Sequence, residues 1–362
     1  MNKNPNPNLA QFERVRNKPG HTSDYLLSLP FDEGIFLLCR DPDLPTRLKN
    51  VPTISQFYLE SSSAHAVAAF EVRDENALAV VHRALFNLYN LHTSDPADIC
   101  SRNQFNPFLC EVKDRLESKW ISHTVEAFQC GAYLSAEELC QELVHLWSSH
   151  RASTHPLFDF LENDASIDAI RGFFRSDSSL NIRFFDLLAF SLIGSREAVR
   201  GEISQNIWDE SGRGNPKMSH VQLFRDLLDS LGIGQAVDEH ASALTWQGLA
   251  GHNLFMLTCL NRQHNFKALG VMAITELMDP TSYAKLLSGC CRLGLDTKYL
   301  TYYSEHVTID IEHADGWLNN VITPVVRQTP SATSEIILGA QLRLASCELY
   351  FDDLLERLRF SE

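Results

Sequence analysis

His306, Asp310 and His313 stand at steps of four and then three residues. At about 100° of rotation per residue, a helix gathers side chains at that spacing into an arc of roughly 60°. Tyr302, Tyr303 and Trp317 extend the same stripe, so this face is expected to point into protein rather than water. Two imidazoles and one carboxylate on one face form a ligand set for a redox-active or Lewis-acid metal, and that set suits non-haem iron. The competing reading is an amphipathic helix whose polar residues bind nothing. Further ligands elsewhere in the chain would decide between the two.

Glu276 is the first candidate. Leu269, Met272 and Ala273 precede it by seven, four and three residues, which puts its carboxylate on the apolar face of a helix. Burying a carboxylate is costly unless it is paired or bound to a metal. A salt bridge or a helix-end position would also account for it, because Asp279-Pro280 is expected to close the helix three residues later. The second candidate is a pair. Val199, Ile203 and Ile207 mark a helix that runs through Glu210 into Gly212-Arg213-Gly214-Asn215-Pro216, and a new helix is expected near Met218. A rigid helix would hold Glu210 and His220 about 15 Å apart, whereas a break lets both reach one centre. Taken singly, Glu210 reads as a solvated helix-end acid and His220 as a helix-start residue.

Glu210 and His220, then Glu276, then His306, Asp310 and His313, in that order in an all-helical chain, resemble the haem-oxygenase-like di-iron oxidases and oxygenases, also called iron-containing redox enzymes. The runs 184–194 and 208–216 are similar to that family's framework, and the resemblance covers about residues 154–360. It implies an all-α, haem-oxygenase-like helical bundle with its metal centre between facing helices. It further implies Fe(II), two per chain, reacting with O2 to oxidise a small amine- or carboxylate-bearing metabolite by N-oxygenation or by C–H or C–C oxidation. Glu210 and Glu276 would be bridging or shared carboxylates. His220 would complete one iron, and His306, Asp310 and His313 would hold the other. The family uses a further upstream glutamate at the first iron, and the corresponding place here is Ser176-Asp177. Asp177 would either bind with a shorter reach or cap a helix beginning near Leu180.

Charge and composition fit a small-molecule enzyme. A net charge of −15 argues against nucleic acid, whose phosphates need a basic footprint. No apolar run approaches the roughly 20 residues of a membrane span, and the Asn/Pro-rich start lacks the apolar core of a signal peptide. The nine cysteines are scattered without a CxxC pair, as expected of reduced thiols in a cytoplasmic protein. The expected organisation is a disordered N-terminus over 1–23, a mostly helical extension over 24–150 and the di-iron domain over 151–362. Residues 24–62, with Pro30, Pro42, Pro45 and Pro52, are expected to be turn-rich. Later helices are expected near 155–163, 166–176, 180–193, 196–211, 217–231, 242–278, 281–293, 297–326 and 332–358.

An external electron donor and a homodimer are compatible with this reading. Two other functions remain open. One is a haem-binding or haem-degrading protein using His155, and the other is a non-catalytic helical partner with a degraded iron site.

Overall fold

Proline placement decides how the N-terminal segment folds. The computed structural model describes residues 22–128 and 134–360. Of the tail expected to be disordered over 1–23, residues 1–21 lie outside the described residues. The stretch expected to be turn-rich is instead helical, over Ser23–Ser28, Phe31–Cys39, Leu44–Asn50 and Pro52–Phe70. Pro30 sits just before a helix, while Pro45 and Pro52 occupy a helix's first or second position. A missing N–H breaks no helical bond there, so these prolines start helices rather than end them. Asp74 caps the next helix, Glu75–Asn90, and the long helix Pro107–Ala127 follows.

The chain divides into two compact units, Met1–Ile121 and Ser122–Glu362. The helix Ala136–Ser149, which the sequence groups with the extension, packs in the second unit against Asn265–Arg292 and Ala332–Phe360. The capping box expected from Ser135 and Glu138 opens it. Beyond it the second unit is an all-α bundle, and no strand occurs among the described residues.

Its spine is the pair Asn265–Arg292 and Ala332–Phe360. Two glycines let these helices meet backbone to backbone. A Cβ at Gly270 would lie 2.0 Å from the Ile336 carbonyl oxygen, and one at Gly339 would lie 2.0 Å from that of Lys267. The first of these helices also packs along Thr301–Gly316, which carries the His-Asp-His triplet. Tyr302, Tyr303 and Trp317 are buried, as the stripe predicts.

Three boundaries differ from expectation, each for a physical reason. The Asn265–Arg292 helix continues through Pro280 instead of closing there. Burial on both sides, with Glu276, Met278, Ser282 and Tyr283 all in the core, outweighs the one lost hydrogen bond. That lost bond belongs to the carbonyl of Glu276, a candidate ligand four residues back. Next, Ile167–Asn181 is one helix, so Asp177 lies within it and caps nothing. Finally, the expected helix over 297–326 is interrupted by a π-helical turn at Trp317–Ile322. No helix among the described residues is long and apolar enough to cross a membrane.

Candidate metal centre

Local chain direction assembles the first group. The helix Glu197–Glu210 ends on Glu210, and Gly212, Arg213 and Gly214 then take φ of +82°, +53° and +85°. A Cβ at Gly212 would stand 2.3 Å from the Asn215 carbonyl oxygen and 2.5 Å from the Ser219 nitrogen, so only glycine fits this turn. Ser219 caps the following helix, which starts at His220. The turn folds the chain back so that His220 Nδ1 lies 2.9 Å from Glu210 Oε2. From another helix His306 places Nε2 3.9 Å from Glu210 Oε1, and the rings of His220 and His306 are 4.4 Å apart.

Helix faces alone assemble the second group. Glu276 and the neighbouring Asp310 and His313 meet where their two helices pack. His313 Nδ1 lies 3.5 Å from Glu276 Oε2 and 3.7 Å from Asp310 Oδ1. All six side chains are buried. Within each group one ligand atom per residue lies within 4.8 Å of the others. Atoms bound to one ion at about 2.0–2.2 Å sit at most about 4.4 Å apart, so small side-chain movements bring each group to a shared cation.

The partners of the three imidazoles show that these groups fit a metal. Each ring has one nitrogen held by the protein and the other facing the acids of its group. His306 Nδ1 donates to the Tyr302 carbonyl at 2.7 Å, which leaves Nε2 toward Glu210. His313 Nε2 donates to Asp209 Oδ2 at 3.3 Å, leaving Nδ1 toward Glu276 and Asp310. His220 Nε2 faces Glu305 Oε2 at 3.4 Å, leaving Nδ1 toward Glu210. Fixing the far nitrogen in this way orients an imidazole and strengthens it as a ligand. Two inward atoms are also left over. Asp310 Oδ2 has no hydrogen-bond partner, and His220 Nδ1, although close to Glu210, lies off the hydrogen-bond direction. Buried atoms without partners are expensive, and a cation at each group would satisfy them.

Protonation in the metal-free chain follows the same pattern. Burial opposes charge on His220, but Glu210 and Glu305 overcome it and push its pKa up to about 10. Burial likewise opposes charge on His313, while Asp310 and Glu276 raise it to about 11. His306 is pushed the other way, down to about 4, by burial and by the neighbouring positive His220. Burial and the charge of Glu276 hold Asp310 well above the usual carboxylate range. Burial works to raise Glu210 too, but the charges of His220, His306 and His313 draw it down. Protons on His220 and His313 thus supply the positive charge that each group of acids attracts.

Six of the seven expected ligands therefore converge: Glu210, His220 and His306 in one group, Glu276, Asp310 and His313 in the other. His306 joins Glu210 and His220, not Asp310 and His313 as the resemblance implies. Asp177 belongs to neither group. It lines the same cavity, where its Oδ2 accepts from Tyr303 Oη and from Asn181 Nδ2, both at 2.7 Å. Burial raises its pKa against those two bonds.

Sequence reasoning missed Asp209 and Glu305, the acids behind His313 and His220. Both sit one residue before a candidate ligand, the only signal available. It also missed Asp279, an acid in the same cavity whose pKa is raised by burial and by its acidic neighbours Glu276 and Asp177. His155 lies outside the centre. Its Nδ1 accepts from the Leu157 N–H and its Nε2 pairs with Asp352 at 3.1 Å, leaving neither nitrogen for a haem iron.

Residues 171–347 match the model of a family described as iron-containing redox enzymes, a span that includes all seven expected ligands. A CADD-like protein of unknown function from Nostoc punctiforme is similar in structure, at 18% identity and a TM-score of 0.47, covering 63% of this chain and 97% of that one. A domain of unknown function with a heme oxygenase-like fold from Shewanella denitrificans overlaps at 13% identity and a TM-score of 0.48, covering 64% and 96%. No curated protein matches the chain significantly.

Proposed function

Residues 171–347 belong to the iron-containing redox enzyme family, and from that premise we propose that the chain is an O2-dependent oxidoreductase with two iron ions per chain. Glu210, His220 and His306 would hold one ion and Glu276, Asp310 and His313 the other. When bound, iron supplies one-electron chemistry and open positions for O2 and a small amine- or carboxylate-bearing substrate. The observation that carries this reading is the set of three imidazoles, each fixed at one nitrogen and turned by the other toward buried acids.

The protein's own contribution is geometric and electrostatic. Glu305, Asp209 and the Tyr302 carbonyl select which imidazole nitrogen carries a proton, and so keep the inward nitrogen free to bind. The aromatic wall of Tyr302, Tyr303 and Tyr283 packs against His306, with the Tyr302 ring 4.2 Å from it, and excludes water from that side. Asp177 and Asp279 stand in the cavity beside the two groups and are able to take or give a proton there. No imidazole has a proton to spare on its inward nitrogen once metal is bound, which leaves that role to these acids.

Metal analysis with anaerobic Fe(II) titration, followed by exposure to O2, tests the proposal. Uptake of about two equivalents per chain, with an O2-dependent change in near-ultraviolet absorption, is the expected result. A chain that takes up no iron, and whose His306→Ala variant behaves identically, refutes it.

A further inference from the structure

One cation shares the cavity with the two groups of ligands. Arg343, on the helix Ala332–Phe360, lines it together with Glu210, Glu276, His306 and Asp310. Its Nε donates to Thr275 Oγ1 at 3.0 Å, and its guanidinium carbon lies 4.8 Å from the centre of the buried Phe255 ring. These two contacts fix the guanidinium from behind. Among the described residues nothing forms a hydrogen bond or an ion pair with its two terminal nitrogens. Burial raises the pKa values of Asp177 and Asp279, and the charge of Arg343 works against that rise, yet neither acid pairs with it.

An arginine spent on structure turns its terminal nitrogens to protein acceptors, as Arg151 does toward Glu348 and Asp352 in this chain. Arg343 holds only its inner nitrogen and leaves the outer fork toward the cavity. A planar fork of N–H donors matches a carboxylate in two parallel bonds, whereas it repels an ammonium group. Thr275 immediately precedes Glu276, so the arginine is tied to the same helical turn as a candidate ligand. The rest of the wall includes Phe158, Phe173, Phe184 and Phe351, which suits an apolar body.

We infer that Arg343 is the substrate anchor, and that the chamber takes an apolar monocarboxylate whose acid group is held by this fork. The inference rests on the proposed function, because it takes the cavity beside the metal ligands to be the reaction chamber. It narrows the substrate to the carboxylate class and gives the Ala332–Phe360 helix a role in selection. The carboxylate supplies the partner that the fork lacks, and the anchored end directs the apolar body along the chamber.

Calorimetric titration with benzoate and hexanoate, and with benzamide and hexanamide as neutral counterparts, tests the assignment. Iron content is measured on every sample, so that failure of the metal reading is seen separately. The wild-type chain is expected to bind at least one acid and to prefer it over its amide. Arg343→Met should weaken that acid about 10- to 100-fold while the amide and the iron content stay unchanged. Arg343→Lys, which keeps the charge and loses the fork, should fall between. If Arg343→Met proves unstable, Arg343→Lys alone still decides, since undiminished acid affinity there removes the fork's role. Equal affinity of wild type and Arg343→Met for the acids, or no acid binding by the wild type, overturns the inference.

Discussion

Replacing Asp209 with asparagine should weaken one metal site and spare the other. In the wild-type chain Asp209 Oδ1 accepts from Arg213 Nε at 2.6 Å, while Oδ2 accepts from Gln205 Nε2 at 3.2 Å and from His313 Nε2 at 3.3 Å. An asparagine keeps one oxygen and turns the other acceptor into an N–H2 donor. The oxygen should stay with Arg213, because a bond to a charged donor is the stronger. The amide N–H2 then faces His313 Nε2, and the ring answers by moving its proton to Nδ1. Nδ1 is the nitrogen turned toward Glu276 and Asp310, so the lone pair that a metal needs there is lost.

Losing such an orienting partner costs roughly 10- to 100-fold in metal affinity, about 1.4–2.7 kcal/mol. The fold should hardly notice, because the Arg213–Asp209 pair is half exposed on the arginine side and such pairs contribute under about 1 kcal/mol. The assay is anaerobic Fe(II) titration against a competing chelator, with thermal unfolding alongside. One affinity should fall and one should stay, with little change in melting temperature. Glu305→Gln should give the reciprocal result through His220, weakening the Glu210 group. Two unchanged affinities in Asp209→Asn, or an equal fall in both with a large loss of melting temperature, would refute the orienting role.

Asp177→Asn should keep both iron affinities within about threefold, because Asp177 lies in neither group and its Tyr303 and Asn181 partners are ones an amide can still meet; a tenfold loss at one site would make it a ligand after all. Gly212→Ala should destabilise the chain by at least about 2 kcal/mol in thermal or denaturant unfolding, since a side chain there meets both an unfavourable φ and the 215–219 backbone. An unchanged unfolding midpoint would show that the turn relaxes freely. Iron affinity should rise with pH between about 6 and 8, because His220 and His313, raised to about 10 and about 11, must each release a proton. In the metal-free chain these two raised values stabilise the fold fully below the unfolded histidine value and lose that effect as pH climbs through 10 to 11. A pH-independent iron affinity would show that protons do not compete at these histidines.

The candidate ligands were legible because a helical period puts a polar triplet on one face, and because a carboxylate among leucines and methionines needs a reason to be there. His306, Asp310, His313 and Glu276 satisfy those rules within a dozen residues of chain each. Which ligand shares a group with which was not legible. His306 sides with Glu210 across helices, and helical period says nothing about the partner on a neighbouring helix. Asp209 and Glu305 were hidden for the same reason, since each reaches its histidine from another element. The prolines misled at a helix start and in a helix interior alike. A breaker rule counts a lost N–H as decisive, whereas Pro52 starts a helix that needed no N–H and Pro280 sits in one whose buried faces override the loss.

The two groups rest on different supports, and this sets how each should respond to damage. Glu276 comes from a helix of the bundle's spine, and Asp310 and His313 from the helix packed along it, so their spacing is fixed by packing. Glu210 and His220 are ten residues apart and meet only because Gly212 to Gly214 reverse the chain through three left-handed residues. Arg213, the middle one, is also the residue that pairs with Asp209, and Asp209 orients His313 in the other group. The turn that brings the first group together therefore also steadies a histidine of the second. A change in this loop has to register at both groups: in the first through the spacing of Glu210 and His220, in the second through the tautomer of His313.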